Sequence, residues 1–80
     1  MEVPFKKDRR LDRLATSGSN YAVVFQDSPD TFEFKGFKER NRAWKEACSV
    51  AGEGLYCYVL SLMDSDYPVI AYLSGFCNCR

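Results

Sequence analysis

The segment from residue 55 to residue 63 constrains the fold most, because it is apolar on both of its faces. It reads Leu-Tyr-Cys-Tyr-Val-Leu-Ser-Leu-Met, and its aromatic and aliphatic residues are typical of a strand. Alternate side chains of a strand point to opposite faces of the sheet. Cys57 and Val59 therefore share one face, whereas Tyr58 and Leu60 share the other. A single helix packed on one face would leave the second apolar face uncovered.

The rest of the chain supplies three more strands and one main helix. Strands are predicted over residues 21–26, 31–35 and 67–74, and the turn Asp27-Ser-Pro-Asp30 makes the first two an antiparallel hairpin. Residues 37–51 have a helical pattern. The order β-β-α-β-β predicts a two-layer α+β domain, a four-stranded, mostly antiparallel sheet with one main helix and an N-terminal arm.

Particular side chains are expected to fill the helix-covered side. Phe32 and Phe34 alternate with polar residues and are expected there, and Gly36 is expected to end their strand. In the last strand, Ile70 and Tyr72 are expected on the face opposite to the other apolar residues, Val69, Ala71 and Leu73. The stripe of the helix that faces the sheet is expected to consist of Phe37, Asn41, Trp44, Ala47, Cys48 and Ala51, while Ala43 and Ala47 are small enough for a close approach.

Charge divides the chain into a basic arm, residues 1–20 with a flexible connection, and a single domain, residues 21–80. Residues 1–14 carry five basic and three acidic side chains, whereas residues 15–80 carry six and eight. Domains that bind duplex nucleic acid are usually far more basic, so nucleic acid is the less favoured partner. If it is the partner, the arm would contact phosphates through Lys6, Lys7, Arg9, Arg10 and Arg13.

The composition argues against an enzyme. The chain contains no histidine, which removes the commonest general base and the usual nucleophile-activating triads. Its four cysteines, Cys48, Cys57, Cys77 and Cys79, lack the paired spacing of tetrahedral zinc sites, so no metal or other cofactor is predicted. No secretion signal, membrane span or membrane association is predicted, which favours reduced thiols in a cytoplasm.

The strands carry more apolar side chains than one helix can cover, which predicts an apolar surface that is covered by another segment or another molecule. The N-terminal arm folded back, a second copy of the chain or a different protein could cover it, although tyrosines also stand singly on solvated sheets. Tyrosine-rich surfaces are typical of protein interfaces. If both hairpin turns lie at one end of the sheet, acidic residues form an adjacent edge. The predicted partner-binding residues are Tyr56, Tyr58, Tyr72, Asp27, Asp30, Asp64 and Asp66.

In general shape the chain resembles the small early proteins of bacteriophages that disable a host enzyme or defence complex, anti-CRISPR proteins among them. The likeness covers its 80 residues, the β-β-α-β-β order, the acidic turn Asp64-Ser-Asp66 and the aromatic strand Leu55-Tyr-Cys-Tyr58. The resemblance implies a viral inhibitor that blocks a host protein or protein complex in the host cytoplasm, without chemistry of its own. The alternative is a small nucleic-acid-binding regulator that stacks bases on its sheet aromatics.

Overall fold

Four strands and two helices make up the part of the chain that the structure, a computed structural model, describes. That part comprises residues 8–28 and 31–73, without the side chains of residues 27 and 28. In chain order the elements are α1 (Arg9–Thr16), β1 (Tyr21–Ser28), β2 (Thr31–Phe37), α2 (Arg40–Gly52), β3 (Cys57–Ser61) and β4 (Val69–Leu73).

The strands form one antiparallel sheet in the order β2-β1-β3-β4. This confirms the predicted α+β class with a four-stranded sheet. The two inner strands, β1 and β3, bury alternate residues on both faces, as the apolar pattern of residues 55–63 required.

Helix α2 covers one face, where Val23 of β1 and Val59 of β3 form part of the core. The predicted helical stripe is confirmed at Ala47, Cys48 and Ala51, which lie in or against this core. It was wrong at Asn41 and Trp44, because Asn41 is exposed and Trp44 is 42% exposed. The helix was predicted to begin at Phe37, but Phe37 is the last residue of β2. The helix faces the sheet with smaller residues, which allow a close approach; they are Ala43, Ala47, Val50 and Ala51.

Helix α1, formed by the N-terminal arm, lies against the opposite face. Its only fully buried residue among those described is Leu11, which belongs to the same buried cluster as Ala22 and Val24 of β1. Asp8 caps the helix by accepting a hydrogen bond of 2.9 Å from the backbone N–H of Arg10. The arm therefore supplies part of the cover that the sequence demanded for this face.

The expected placement of Phe32 and Phe34 was wrong, since both pack on the α1 side. Phe34 lies opposite Val24 in the ladder, and Val24 also belongs to the α1-side core. Gly36 does not end the strand either, because β2 continues through it to Phe37. A Cβ atom at Gly36 would lie 2.3 Å from the Ser19 Oγ, so glycine here permits the close passage of the α1–β1 connection.

A bulge in β4 corrects the faces expected for the last strand. Val59 pairs with Ala71, but the next residue, Leu60, pairs with Val69, so Ile70 is an extra residue. Val69 consequently packs in the α1-side core, whereas Ala71 and Leu73 stay on the α2 side. The alternation that predicted one face for all three therefore breaks at Ile70.

Candidate partner-binding surface

Three tyrosines lie side by side on the α1 face, at the end of the sheet where β3 begins and β4 ends. Tyr58 is directly opposite Tyr72 in the ladder, and their ring centroids are 4.8 Å apart. Tyr56 stacks on Tyr72 with a centroid separation of 6.2 Å and an interplanar angle of 7°. We call Tyr56, Tyr58 and Tyr72 the tyrosine surface; the structure brings together the three aromatic residues that the sequence proposed.

Much of this cluster faces solvent. Tyr56 is 52% exposed and Tyr72 is 44% exposed, whereas Tyr58 is half-buried and packs against the α1-side core. Helix α1 contacts β1 and β2, so its cover falls on one half of the sheet face. The tyrosine surface occupies the other half, on β3 and β4.

The Tyr72 hydroxyl is partly desolvated within the tyrosine surface. Burial raises the pKa of the Tyr72 hydroxyl, and the neighbouring Tyr58 and Tyr56 raise it further. The unperturbed pKa of tyrosine is near 10, so a raised value keeps this hydroxyl protonated at neutral pH. The surface thus presents apolar rings together with a neutral hydroxyl that both donates and accepts hydrogen bonds.

On the half of the sheet face that α1 covers, the side chain of Arg10 lies over the aromatic ring of Phe34. The Arg10 guanidinium lies 4.1 Å from the centroid of the Phe34 ring. Arg10 also donates to a carboxylate oxygen of Asp8 and to the backbone oxygen of Phe32, each at 2.9 Å. The hydrogen bond to Asp8 is the main reason that the pKa of Arg10 is raised. Charge spacing could suggest the Asp8 pair, but nothing in the sequence indicated the contact with Phe34.

A second contact that sequence reasoning missed ties α1 to the β3–β4 connection. The Tyr67 hydroxyl donates to a carboxylate oxygen of Asp12 over 2.6 Å. Tyr67 has a φ of +46°, a left-handed conformation that non-glycine residues adopt rarely. This hydrogen bond is the largest cause of the raised pKa of Tyr67. Residues 12 and 67 are too far apart in the chain for any local pattern to reveal the bond.

The predicted acidic residues do not gather into one edge. Asp64 and Asp66 are exposed in the connection that follows the C-terminal end of β3, and Asp27 belongs to the C-terminal end of β1. Since β1 and β3 are antiparallel, these positions lie at opposite ends of the sheet. Asp30 and the side chain of Asp27 lie outside the described residues.

The basic residues of the alternative hypothesis are only partly described. Arg9 and Arg13 are exposed on α1, one helical turn apart, and Arg10 is engaged as above. Lys6 and Lys7 lie outside the described residues.

The cysteines offer no described metal centre. Cys48 is half-buried on α2 and Cys57 is buried in β3, while Cys77 and Cys79 lie outside the described residues. Within residues 8–28 and 31–73, no group of three or more Cys, Asp or Glu side chains is placed to hold a metal ion.

Comparisons with protein-family models, with curated proteins and with solved structures find no match to this chain. In the described part of the chain, neither helix has the length and apolar character needed to cross a membrane.

Proposed function

We propose that this chain is a non-enzymatic protein-binding module that holds its partner through the tyrosine surface. The observation that carries the proposal is the exposure of Tyr56 and Tyr72 beside Tyr58, on the half of the sheet face that α1 leaves uncovered. Tyrosine gives a large contact area at a low cost in side-chain entropy, and it is enriched among the residues that dominate binding energy. The absence of histidine from the sequence supports a role without catalysis.

The nature of the partner comes from the sequence resemblance. We propose a host enzyme or defence complex, blocked in the host cytoplasm by occupation of its working surface, as for phage-encoded inhibitors. Blockade of this kind predicts that the activity of the bound enzyme falls in proportion to the fraction of enzyme that is occupied.

Truncation of Tyr56 tests the surface without disturbing the core. The chain is first used to capture a partner from bacterial lysate, and the affinity of the purified pair is then measured by calorimetry. We expect Tyr56→Ala to weaken binding at least about tenfold, the loss expected for a hot-spot aromatic. Trp44→Ala is the matched control, because Trp44 is an aromatic of similar exposure on α2.

Equal affinities of the two variants and the parent chain for the captured protein would contradict the surface assignment. A captured enzyme that keeps full activity when saturated with this chain would contradict blockade.

Nucleic-acid binding is the second candidate, favoured by one observation. Exposed Arg9 and Arg13 are carried by α1, which lies on the same sheet face as the tyrosine surface, so phosphate contacts and base stacking could occur together. The two candidates differ in their response to salt. Binding to single-stranded nucleic acid would weaken steeply between about 50 and 200 mM salt as counterions are released, whereas a mainly apolar protein interface would change little.

A further inference from the structure

The outer strand β4 carries none of the charged side chains that often protect a sheet edge from pairing with another chain. Its five residues, Val69–Leu73, include no charged side chain. Two of them expose apolar surface, Ile70 at 40% and Tyr72 at 44%. Natural edge strands are commonly blocked by charges, by proline or by bulges. Here the proline, Pro68, precedes the strand and the bulge lies at Ile70, so both fall in its first part and Ala71–Leu73 pair regularly with β3.

The other edge strand, β2, is protected. Glu33 and Lys35 are exposed along it, and Lys35 forms an ion pair of 2.6 Å with Glu46 of α2. Arg10 also donates to the backbone oxygen of Phe32, which occupies an acceptor of this strand. Of the two edges in the described sheet, β4 is therefore the one suited to pairing.

The hydrogen-bond pattern identifies which backbone groups of β4 point outward. The amide of Ser61 donates to the carbonyl oxygen of Pro68 over 3.0 Å, so Ser61 bonds toward β4. Residues of an antiparallel strand bond alternately to one neighbour and to the other. Val59 and Cys57 lie two and four residues before Ser61, so they also bond toward β4. They pair with Ala71 and Leu73, which therefore bond to β3. Tyr72, between them, directs its N–H and C=O away from the sheet.

We propose that β4 pairs antiparallel with β4 of a second copy of this chain, which joins the two four-stranded sheets into one. Symmetric pairing through the outward groups places Tyr72 opposite Tyr72 of the other copy, around a two-fold axis perpendicular to the sheet. The same axis keeps corresponding faces on the same side, so the two tyrosine surfaces become continuous. A formal net charge of zero means that overall repulsion between copies does not oppose the pairing.

Three lysine variants locate the contact. Mass is measured by light scattering across a concentration series, where the parent chain is expected to rise from 9.2 kDa to twice that mass. Tyr72→Lys sets two ammonium groups opposite each other at the axis and is expected to weaken the dimer at least tenfold. Tyr56→Lys adds the same charge to the same face, beside Tyr72 but outside β4, and is expected to weaken the dimer less than Tyr72→Lys does. Met63→Lys adds the charge at a residue that is 62% exposed in the β3–β4 connection, and it is expected to dimerise like the parent chain.

Amide hydrogen exchange on the parent chain tests the pairing without any substitution. The Tyr72 amide is expected to exchange rapidly in dilute solution and to become at least about tenfold slower when the dimer forms. The Ala71 and Leu73 amides should be protected in both conditions, because they bond to β3 within one copy. This measurement decides the question if Tyr72→Lys fails to fold.

A mass of one chain at every concentration would overturn the proposal. A hydrogen-exchange rate of the Tyr72 amide that does not change with protein concentration would also overturn it. Equal weakening by Tyr56→Lys and Tyr72→Lys would show a dimer formed through the sheet face, which also overturns it. None of these outcomes bears on capture of a different protein, so the proposed function is tested separately.

Discussion

Removal of the Leu11 side chain tests whether α1 is held on the sheet as the structure shows. Leu11 is fully buried, and it belongs to the α1-side core together with Ala22 and Val24 of β1. Leucine-to-alanine changes in cores cost about 2–5 kcal/mol, with smaller losses where the surroundings can close the cavity. A helix of eight residues at the surface can shift inward, so we expect Leu11→Ala to lower the free energy of unfolding by about 2–3 kcal/mol. For a domain of this size that loss corresponds to a fall in Tm of about 10–20 °C.

Urea and thermal unfolding, followed by circular dichroism, measure this loss. Leu14→Ala is the matched control, because Leu14 lies in the same helix but is only half-buried. The two substitutions change helix propensity equally, so the difference between them reports packing. We expect Leu14→Ala to cost about 1 kcal/mol. A loss below about 1 kcal/mol for Leu11→Ala, or equal losses for both variants, would refute the packing of α1 on this face.

Two further stability predictions concern a close approach and a helix cap. Gly36→Ala should lower the free energy of unfolding by about 1–3 kcal/mol, because its Cβ would lie 2.3 Å from the Ser19 Oγ. Gly52→Ala should be neutral or stabilising by up to about 1 kcal/mol, since nothing lies within 4 Å of its Cβ. Equal chemical denaturation midpoints for the two variants would contradict this difference. Asp8→Ala should cost about 1 kcal/mol at pH 7. Hydrogen bonds from Arg10 lower the pKa of Asp8, so the stabilisation is present above the unfolded value near 3.9 and is lost as pH falls through the folded value. The gap between the two unfolding midpoints should therefore narrow as the pH is lowered into the acid range, and a gap of constant size would contradict the assignment.

The class of the fold could be predicted from the sequence because strand patterns are local. Alternating and two-faced apolar segments identified four strands, and short connections made antiparallel pairing the natural arrangement. The same reasoning placed Tyr56, Tyr58 and Tyr72 near one another, since Tyr56 and Tyr58 are two residues apart and the short β3–β4 connection brings Tyr72 back alongside them.

What the sequence did not predict depends on single-residue events. One extra residue at Ile70 moves Val69 to the other face of the sheet, and no residue type in that strand marks the bulge. The inward placement of Trp44 was wrong because the smaller Ala43, Ala47 and Ala51 face the sheet and let α2 approach it closely. The distance between the helix and the sheet decides which apolar side chains of α2 face the sheet. The periodic spacing of apolar residues in the sequence does not reveal that distance.

The two-sided packing of the inner strands has an evolutionary consequence. An insertion or deletion of one residue within β1 or β3 would exchange the residues that enter the two cores, so that Val23 would trade places with Val24 and both helices would lose their fit at once. Changes of length should therefore accumulate outside the two inner strands, in exposed connections such as residues 63–66.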